Sequence, residues 1–284
     1  MVNNAASNPL FKHFRQPAVY LKLPSGGQFY PEGSLDFPPT GTIPIFPMTV
    51  KDELTLKTPD ALMNGQGMID VIHSCCPNIK DAWVMPAVDV DAILIAIRLA
   101  SYGAEMEITT ACGACGESNE HNVALNHLLD NFKIADYSKP AFFEDLRFNF
   151  KPQNYKHIND LNIITYEEQR LVDSIIRNEA LSDEEKASRF TESFNKLKQM
   201  NVDSIAVCIE SITVEGQDPV TDRKFITEYL ENCSRDSYTA IKEKIDTIIK
   251  ENKLPPMKLT CSECAAEYES GLEFNQSNFF DKGF

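Results

Sequence analysis

The chain has 284 residues, of which 43% are hydrophobic, and its formal net charge at pH 7 is −15. This length suits one large domain or two modest ones, and the acidic balance argues against a partner with a phosphate backbone, so we expect no nucleic-acid partner. No stretch approaches the roughly 20 apolar residues that a membrane-spanning helix needs, and residues 1–9 do not have the pattern of a signal peptide. We therefore expect a cytoplasmic protein with no membrane partner.

The first part of the chain has the pattern of an arm followed by a small β region. Residues 1–16 are polar at their start, and we expect a flexible N-terminal arm. Apolar side chains alternate over 17–23, which predicts a strand. The Ser-Gly-Gly sequence at 25–27 predicts a tight turn with a return strand over 28–30. The proline-rich stretch 31–48 predicts extended, irregular chain with at most an edge strand.

Helix signals follow as far as the first pair of cysteines. Thr49 and Asp52 have the spacing of a capping box, which predicts a short helix. The most hydrophobic helix is predicted at 90–102, where Gly103 provides the residue type that commonly ends a helix. The elements predicted here are, in chain order, a helix from Thr49, a helix start at Thr58-Pro59, a helix at 68–76, the helix at 90–102, and a strand at 104–110 that leads into Cys112.

The second half of the chain is charged and has mainly helical periodicity. Ser182 to Glu185 form a capping box, and apolar side chains then recur every three or four residues. The predicted elements are a return strand, a short helix and a second strand within 118–150, helices across 166–252 with two of them near 222–233 and 236–251, a strand at 257–260, and a partly mobile tail at 270–284.

Two Cys-x-x-Cys pairs, Cys112 with Cys115 and Cys261 with Cys264, carry the clearest chemical signal. A turn of this kind places two thiolates on one edge of a tetrahedral zinc site, and two such turns complete it. Each pair follows a predicted strand, which is the plan of a zinc ribbon. We therefore predict one structural Zn²⁺ ion held by all four cysteines, with a mostly helical segment inserted between the two halves of the ribbon.

Three alternatives for these cysteines remain open. Either pair alone could be a thioredoxin-type redox pair, or the four could be unrelated buried thiols. A site with two cysteines and two histidines could form from Cys112, Cys115, His121 and His127. The remaining cysteines, at positions 75, 76, 208 and 233, are expected to be buried thiols.

The pattern predicts an α+β fold without catalytic machinery. We expect a flexible arm at 1–16, an N-terminal α+β region with the first knuckle at 17–135, a mostly helical insertion at 136–252, and the second knuckle with the C-terminal tail at 253–284. Neither the five histidines nor any serine lies in a recognised catalytic motif. We therefore expect a protein that is not an enzyme.

Several segments resemble a known family. They are VYLKLPSGG at 19–27, YP at 30–31, PMTVKDE at 47–53, PDAL at 59–62, and the stretch from Asp91 to Gly103 with AIRLASYG at its end. These segments resemble the baseplate hub assembly proteins of T-even-type contractile-tailed bacteriophages, and the match is strongest in the first 130 residues.

The resemblance implies a structural or assembly protein of the central baseplate hub. Its partners would be other hub and tail proteins, and it would be found in the host cytoplasm during assembly and in the tail baseplate of the virion. No catalytic residue is carried over, because the shared motifs are structural. The alternative is a zinc-ribbon module that binds nucleic acid or the transcription machinery.

Overall fold

The structure is a computed structural model that describes residues 9–58, 65–178, 181–271 and 279–280. The fold is α+β, as predicted. The helices are α1 Val50–Leu56, α2 Gln66–Cys75, α3 Ala87–Tyr102, α4 Leu125–Asp130, α5 Tyr155–Arg177, α6 Asp183–Ala206, α7 Arg223–Asn232 and α8 Arg235–Glu251. The strands are β1 Val19–Leu21, β2 Ile43–Ile45, β3 Glu105–Ala111, β4 Ser118–Ala124, β5 Ala141–Phe143, β6 Leu146–Phe150, β7 Ile209–Val214, β8 Met257–Thr260 and β9 Glu267–Ser270.

A first hydrophobic core surrounds α3. Most side chains of this helix are apolar and buried, and a helix of that kind is stable only when other elements cover it. The β1–β2 pair and α2 provide that cover, together with side chains from β3, β4 and α4. The C-terminal residues Phe279 and Phe280 are also buried here, and Arg98 of α3 donates a hydrogen bond to the Phe279 carbonyl.

The predicted return strand at 28–30 is wrong. β1 pairs instead with β2, with Val19 opposite Ile45 and Leu21 opposite Ile43. Gly26, Gly27 and Phe29 all have positive φ angles, so the chain keeps turning after 27 and does not run back along β1. The edge strand expected at most within the proline-rich stretch is therefore β2, the partner of β1.

The carboxylate of Asp89, near the start of α3, stabilises the turn at 25–30. Its carboxylate accepts hydrogen bonds from the Ser25 amide at 2.8 Å, the Ser25 hydroxyl at 2.5 Å and the Tyr30 hydroxyl at 3.0 Å. Burial raises the pKa of Asp89 to about 6, although these hydrogen bonds act in the opposite direction. The turn is thus attached to the helix at the centre of the first core.

Asp91, two residues further along α3, has no such partners. It lines a cavity of about 250 Å³ between α3 and α8. Its carboxylate has neither a hydrogen bond nor an ion pair among the described residues. Burial raises the pKa of Asp91 to about 6, with Lys253 acting to lower it. A raised pKa means that the folded state disfavours the ionised carboxylate, so this cost is complete above about pH 6 and disappears as the pH falls towards 4.

Asp91→Asn is therefore expected to raise the free energy of unfolding near pH 7.5 by up to about 3 kcal/mol, because an unpaired, partly buried charge is removed. The gain over the wild type is expected to shrink towards zero near pH 4. Urea unfolding of both proteins at the two pH values measures this. A gain of equal size at both pH values would contradict it.

Asp89→Ala is the contrast. It is expected to lower the free energy of unfolding by roughly 2–3 kcal/mol, because the donors of Ser25 and Tyr30 lose their acceptor.

A second hydrophobic core lies between the sheet β5-β6-β7 and the helices α6, α7 and α8. The prediction of helices across 166–252 did not include β7, which pairs antiparallel with β6. The predicted capping boxes are confirmed: Thr49 caps α1 with Asp52, and Ser182 caps α6 with Glu185.

The two ends of the segment between the ribbon halves meet. The Asn252 side chain accepts a hydrogen bond from the Ala135 amide at 2.7 Å and donates one to the Tyr137 hydroxyl at 2.6 Å. Contacts also cross from this segment to the first core. The Tyr155 amide at the start of α5 donates to the Met85 carbonyl, and the Tyr155 side chain is buried in that core.

Arg15 lies in the segment predicted to be a flexible arm. Its guanidinium donates hydrogen bonds to the carbonyls of Pro47 and Ser74 and forms an ion pair with Asp52 at 3.3 Å.

Within the described part of the chain, no helix is long and apolar enough to cross a membrane. The helix start predicted at Thr58-Pro59 continues into residues 59–64, outside the described residues, as does most of the tail.

Candidate metal centre

Two β-hairpins from distant parts of the chain carry the cysteine pairs in their turns. β3 pairs with β4, and β8 pairs with β9, both antiparallel. Each turn is closed by backbone hydrogen bonds from the first cysteine amide, Cys112 to the Glu117 carbonyl and Cys261 to the Ala266 carbonyl. The strand, knuckle, strand order predicted for each half of the ribbon is present.

The structure brings all four predicted thiol groups together. The Sγ atoms of the four cysteines lie within 4.8 Å of one another. Cys112 is 3.8 Å from Cys264, and Cys115 is 3.7 Å from Cys261. Zinc–sulfur bonds of about 2.3 Å in a tetrahedron place neighbouring sulfurs about 3.8 Å apart, whereas a disulfide bond is only about 2.05 Å long. The cluster could therefore hold one metal ion.

Backbone amides favour the charged form of the first cysteine in each pair. The amide of Cys115 is the main cause that lowers the pKa of Cys112, and the amide of Cys264 is the main cause that lowers the pKa of Cys261 to about 6. Cys112 and Cys261 are buried, while Cys115 and Cys264 are exposed. A lowered thiol pKa in each knuckle suits the binding of a cation, since thiolates rather than thiols are metal ligands.

Asn119 of β4 connects the first hairpin to the second knuckle. Its amide nitrogen donates to the Sγ atom of Cys261 at 3.5 Å, and its carbonyl oxygen accepts from the Ser262 amide and hydroxyl, both at 2.8 Å. Only 3% of this residue is exposed. Partners of this kind orient metal ligands. Sequence reasoning did not identify Asn119, because nothing local marks an asparagine in a strand as a contact to a turn 142 positions away.

A second set of contacts joins the two hairpins beyond the knuckles. The Tyr268 hydroxyl of β9 lies 2.7 Å from the Thr110 hydroxyl of β3 and 2.9 Å from Nε2 of His121 of β4. Both partners belong to the first hairpin, so the tyrosine fixes the relative position of the strands that carry the cysteines. This residue was also not identified from the sequence.

The histidines proposed for a mixed site do not approach the thiols. His121 contacts Tyr268, and His127 of α4 contacts Asn131. Over the described ranges, the metal-ligand cluster at this position contains only the four cysteines. Both pairs also lie in turns between antiparallel strands, not at the start of a helix, where redox pairs have their reactive thiol.

The other cysteines lie apart from the cluster. Cys75, Cys76 and Cys208 are buried, and Cys233 is partly buried. Burial raises the pKa of Cys75 and of Cys208 to about 12. Such thiols stay protonated at neutral pH and are poor nucleophiles.

The two knuckles differ at the position four residues after their first cysteine. Gly116 has a φ angle of 78°, and Ala265 has one of 55°. A side chain in this left-handed region costs roughly 1–2 kcal/mol. A Cβ atom at position 116 would touch nothing within 4 Å, so strain is the only penalty there.

Gly116→Ala is therefore expected to destabilise the protein by about 1 kcal/mol through backbone strain. Ala265→Gly is expected to be neutral or slightly stabilising, because it relieves the same strain in the other knuckle at the expense of a more flexible unfolded chain. Chemical unfolding of the metal-loaded proteins measures both. Equal destabilisation by the two changes would contradict this account.

Comparison with known proteins identifies a family. The family model described as T4 bacteriophage base plate protein matches residues 17–281, which is almost the whole chain and includes all four cysteines. No curated protein and no solved structure matches.

Proposed function

We propose that this chain, which belongs to the T4 bacteriophage base plate protein family, is a structural or assembly protein of the central hub of the baseplate. The family match is the observation that carries the proposal, since it covers both knuckles and both cores. The hub position rests on the resemblance of the segments at 19–27 and 47–53 to hub assembly proteins. A role in the phage tail makes other tail proteins its partners.

The protein would act through protein contacts and not through catalysis. Exposed apolar side chains support this role. Val50 and Leu54 lie four residues apart on α1, and therefore on one face of the helix, with exposures of 73% and 62%. The net charge of −15 would direct the chain towards basic surfaces of its partners.

We further propose that the cysteine cluster holds one structural Zn²⁺ ion through Cys112, Cys115, Cys261 and Cys264. The sulfur spacing and a donor set of four thiolates favour zinc, and four protein ligands leave no open position for catalysis. Bound there, the ion would join the end of the chain to its middle. Asn119 and Tyr268 would orient the two knuckles around it.

We also propose four segments: the arm at 1–16, the first ribbon half with its core at 17–135, the insertion at 136–252, and the second ribbon half at 253–284. The meeting of Asn252 with Ala135 supports an insertion whose ends are adjacent. The two hydrophobic cores support the same division, since the second is built from residues of the insertion together with Ala135.

Co-purification with named partners tests the hub assignment. The affinity-tagged chain is produced together with the hub and outer baseplate proteins of the same phage, and the captured proteins are identified by mass spectrometry. We expect at least one hub protein in a fixed ratio to the chain. An unrelated tagged protein of similar negative charge controls for capture by charge alone. Capture of outer baseplate proteins without any hub protein would contradict the hub assignment.

A further inference from the structure

A second candidate binding site lies away from the cysteines, in a cleft of about 390 Å³. It is lined by the turn at 29–31, by residues 151–154 and His157, and by residues of β7 and the start of α7. Two positively charged side chains line the cleft, Lys151 and Arg223, together with one acidic side chain, Glu210, and the ring of His157. This local excess of basic groups contrasts with a chain whose net charge is −15.

Arg223 is held in position by a neutral histidine. Its guanidinium lies 3.1 Å from Nε2 of His157, and Nδ1 of the same ring lies 2.6 Å from the side-chain oxygen of Asn154. That oxygen can only accept, so Nδ1 carries the ring proton and Nε2 accepts from Arg223. Burial, followed by the nearby charge of Arg223, lowers the pKa of His157 and keeps it in this neutral form.

The basic groups of the cleft keep their charge available. Within the residues that the structure describes, neither Arg223 nor Lys151 has a carboxylate within ion-pair distance, whereas the adjacent Lys156 is paired with Asp160 at 2.9 Å. An arginine oriented by a neutral side chain retains its full positive charge and the remaining donors of its planar group. Such a group matches the two oxygens of a carboxylate or a phosphate.

Helix α7 places Arg223 in the lining of the cleft. Arg223 is its first residue, and Asp222 caps it by accepting a hydrogen bond from the Lys224 amide. The Asp222 carboxylate already meets the partial positive charge at this helix N-terminus. The preference of the cleft for an anion therefore comes from the oriented arginine and the unpaired lysine.

We propose that this cleft is an oxyanion-binding site, and that its ligand is a carboxylate side chain of a partner protein. The choice of a protein carboxylate rests on the proposed baseplate role, while the preference for an anion rests on the cleft alone. In an acidic protein, such a site would accept an acidic residue at one defined place and would set the register of the contact.

Two probes distinguish the possible sources of the anion, inorganic phosphate and a short peptide with two adjacent glutamates. Both are titrated into the zinc-loaded full-length chain at low ionic strength, with calorimetry and the ring NMR signals of His157 as readouts. The glutamate peptide is expected to bind saturably and to shift these signals. Arg223→Gln is expected to weaken its binding by on the order of tenfold or more, and Arg223→Lys to weaken it less.

Lys224→Gln is the matched control, because it removes the same charge from the next residue of α7, which does not line the cleft. It is expected to leave peptide binding unchanged. Absence of saturable binding, or equal weakening by Arg223→Gln and Lys224→Gln, would overturn the site. Binding of phosphate without binding of the peptide would overturn the protein carboxylate. Zinc content and hub co-purification are measured separately, so failure here is distinguishable from failure of the proposed function.

Discussion

Cys264→Ser is expected to release the metal ion and to lower the free energy of unfolding by roughly 3 kcal/mol or more. The reason is that the second hairpin is short and largely exposed. β8 and β9 have four residues each, and none of their side chains is fully buried. A two-stranded hairpin of this kind is marginal on its own in water. Without the metal, the hairpin would depend on the contacts of Asn119 and Tyr268 and on the packing of Met257 against the first core.

Cys233→Ser is the matched control for this change. Cys233 is partly buried and lies at the end of α7, outside the metal cluster. We expect it to keep about one zinc ion per chain by elemental analysis and to lose less than about 1 kcal/mol. Thermal and chemical unfolding of both variants, each with and without a chelator, complete the measurement. If Cys264→Ser kept its metal, or melted like Cys233→Ser, the site would not be structural.

Deletion of the gene from its phage is expected to abolish infectious particles while leaving heads normal. Tails are expected to stall because the centre of the baseplate does not form. Electron microscopy of lysates and plaque counts measure both effects. The wild-type gene and the Cys233→Ser gene, supplied from a plasmid, are expected to restore infectivity, and the Cys264→Ser gene is expected to fail.

The opposite phenotype would support a different function for this protein. Complete baseplates, together with a defect in transcription or DNA replication, would favour the alternative of a zinc-ribbon module that acts on nucleic acid. Restoration of plaques by Cys264→Ser would separate the metal cluster from the baseplate role, and the structural purpose proposed for the ion would then be wrong.

Local signals in the sequence predicted the elements whose causes are local. The capping boxes at Thr49 and Ser182 depend on residues three positions apart, and both are confirmed. The two hairpins of the ribbon were predicted because each knuckle directly follows an alternating strand. The helix α3 was predicted from its hydrophobic run and from Gly103 at its end. It begins at Ala87, three residues earlier than expected.

Contacts between distant residues were the ones that the sequence could not supply. The partner of β1 is decided by a turn that depends on the buried carboxylate of Asp89, 64 positions from Ser25. β7 is a short segment between long helices, and its strand character depends on pairing with β6. Asn119 and Tyr268 have no local pattern at all, because their importance comes only from the approach of the two hairpins.

The separation of the two knuckles along the chain has a consequence for synthesis. Cys115 and Cys261 are 146 positions apart. At about 5–20 residues per second, the ribosome needs on the order of ten seconds to travel between them. During that interval only half of the proposed zinc ligands exist, and two thiolates would hold a metal ion weakly. A chain released before position 261 would therefore never complete the ribbon, so closure of the metal site would distinguish finished chains from fragments before either could enter a tail.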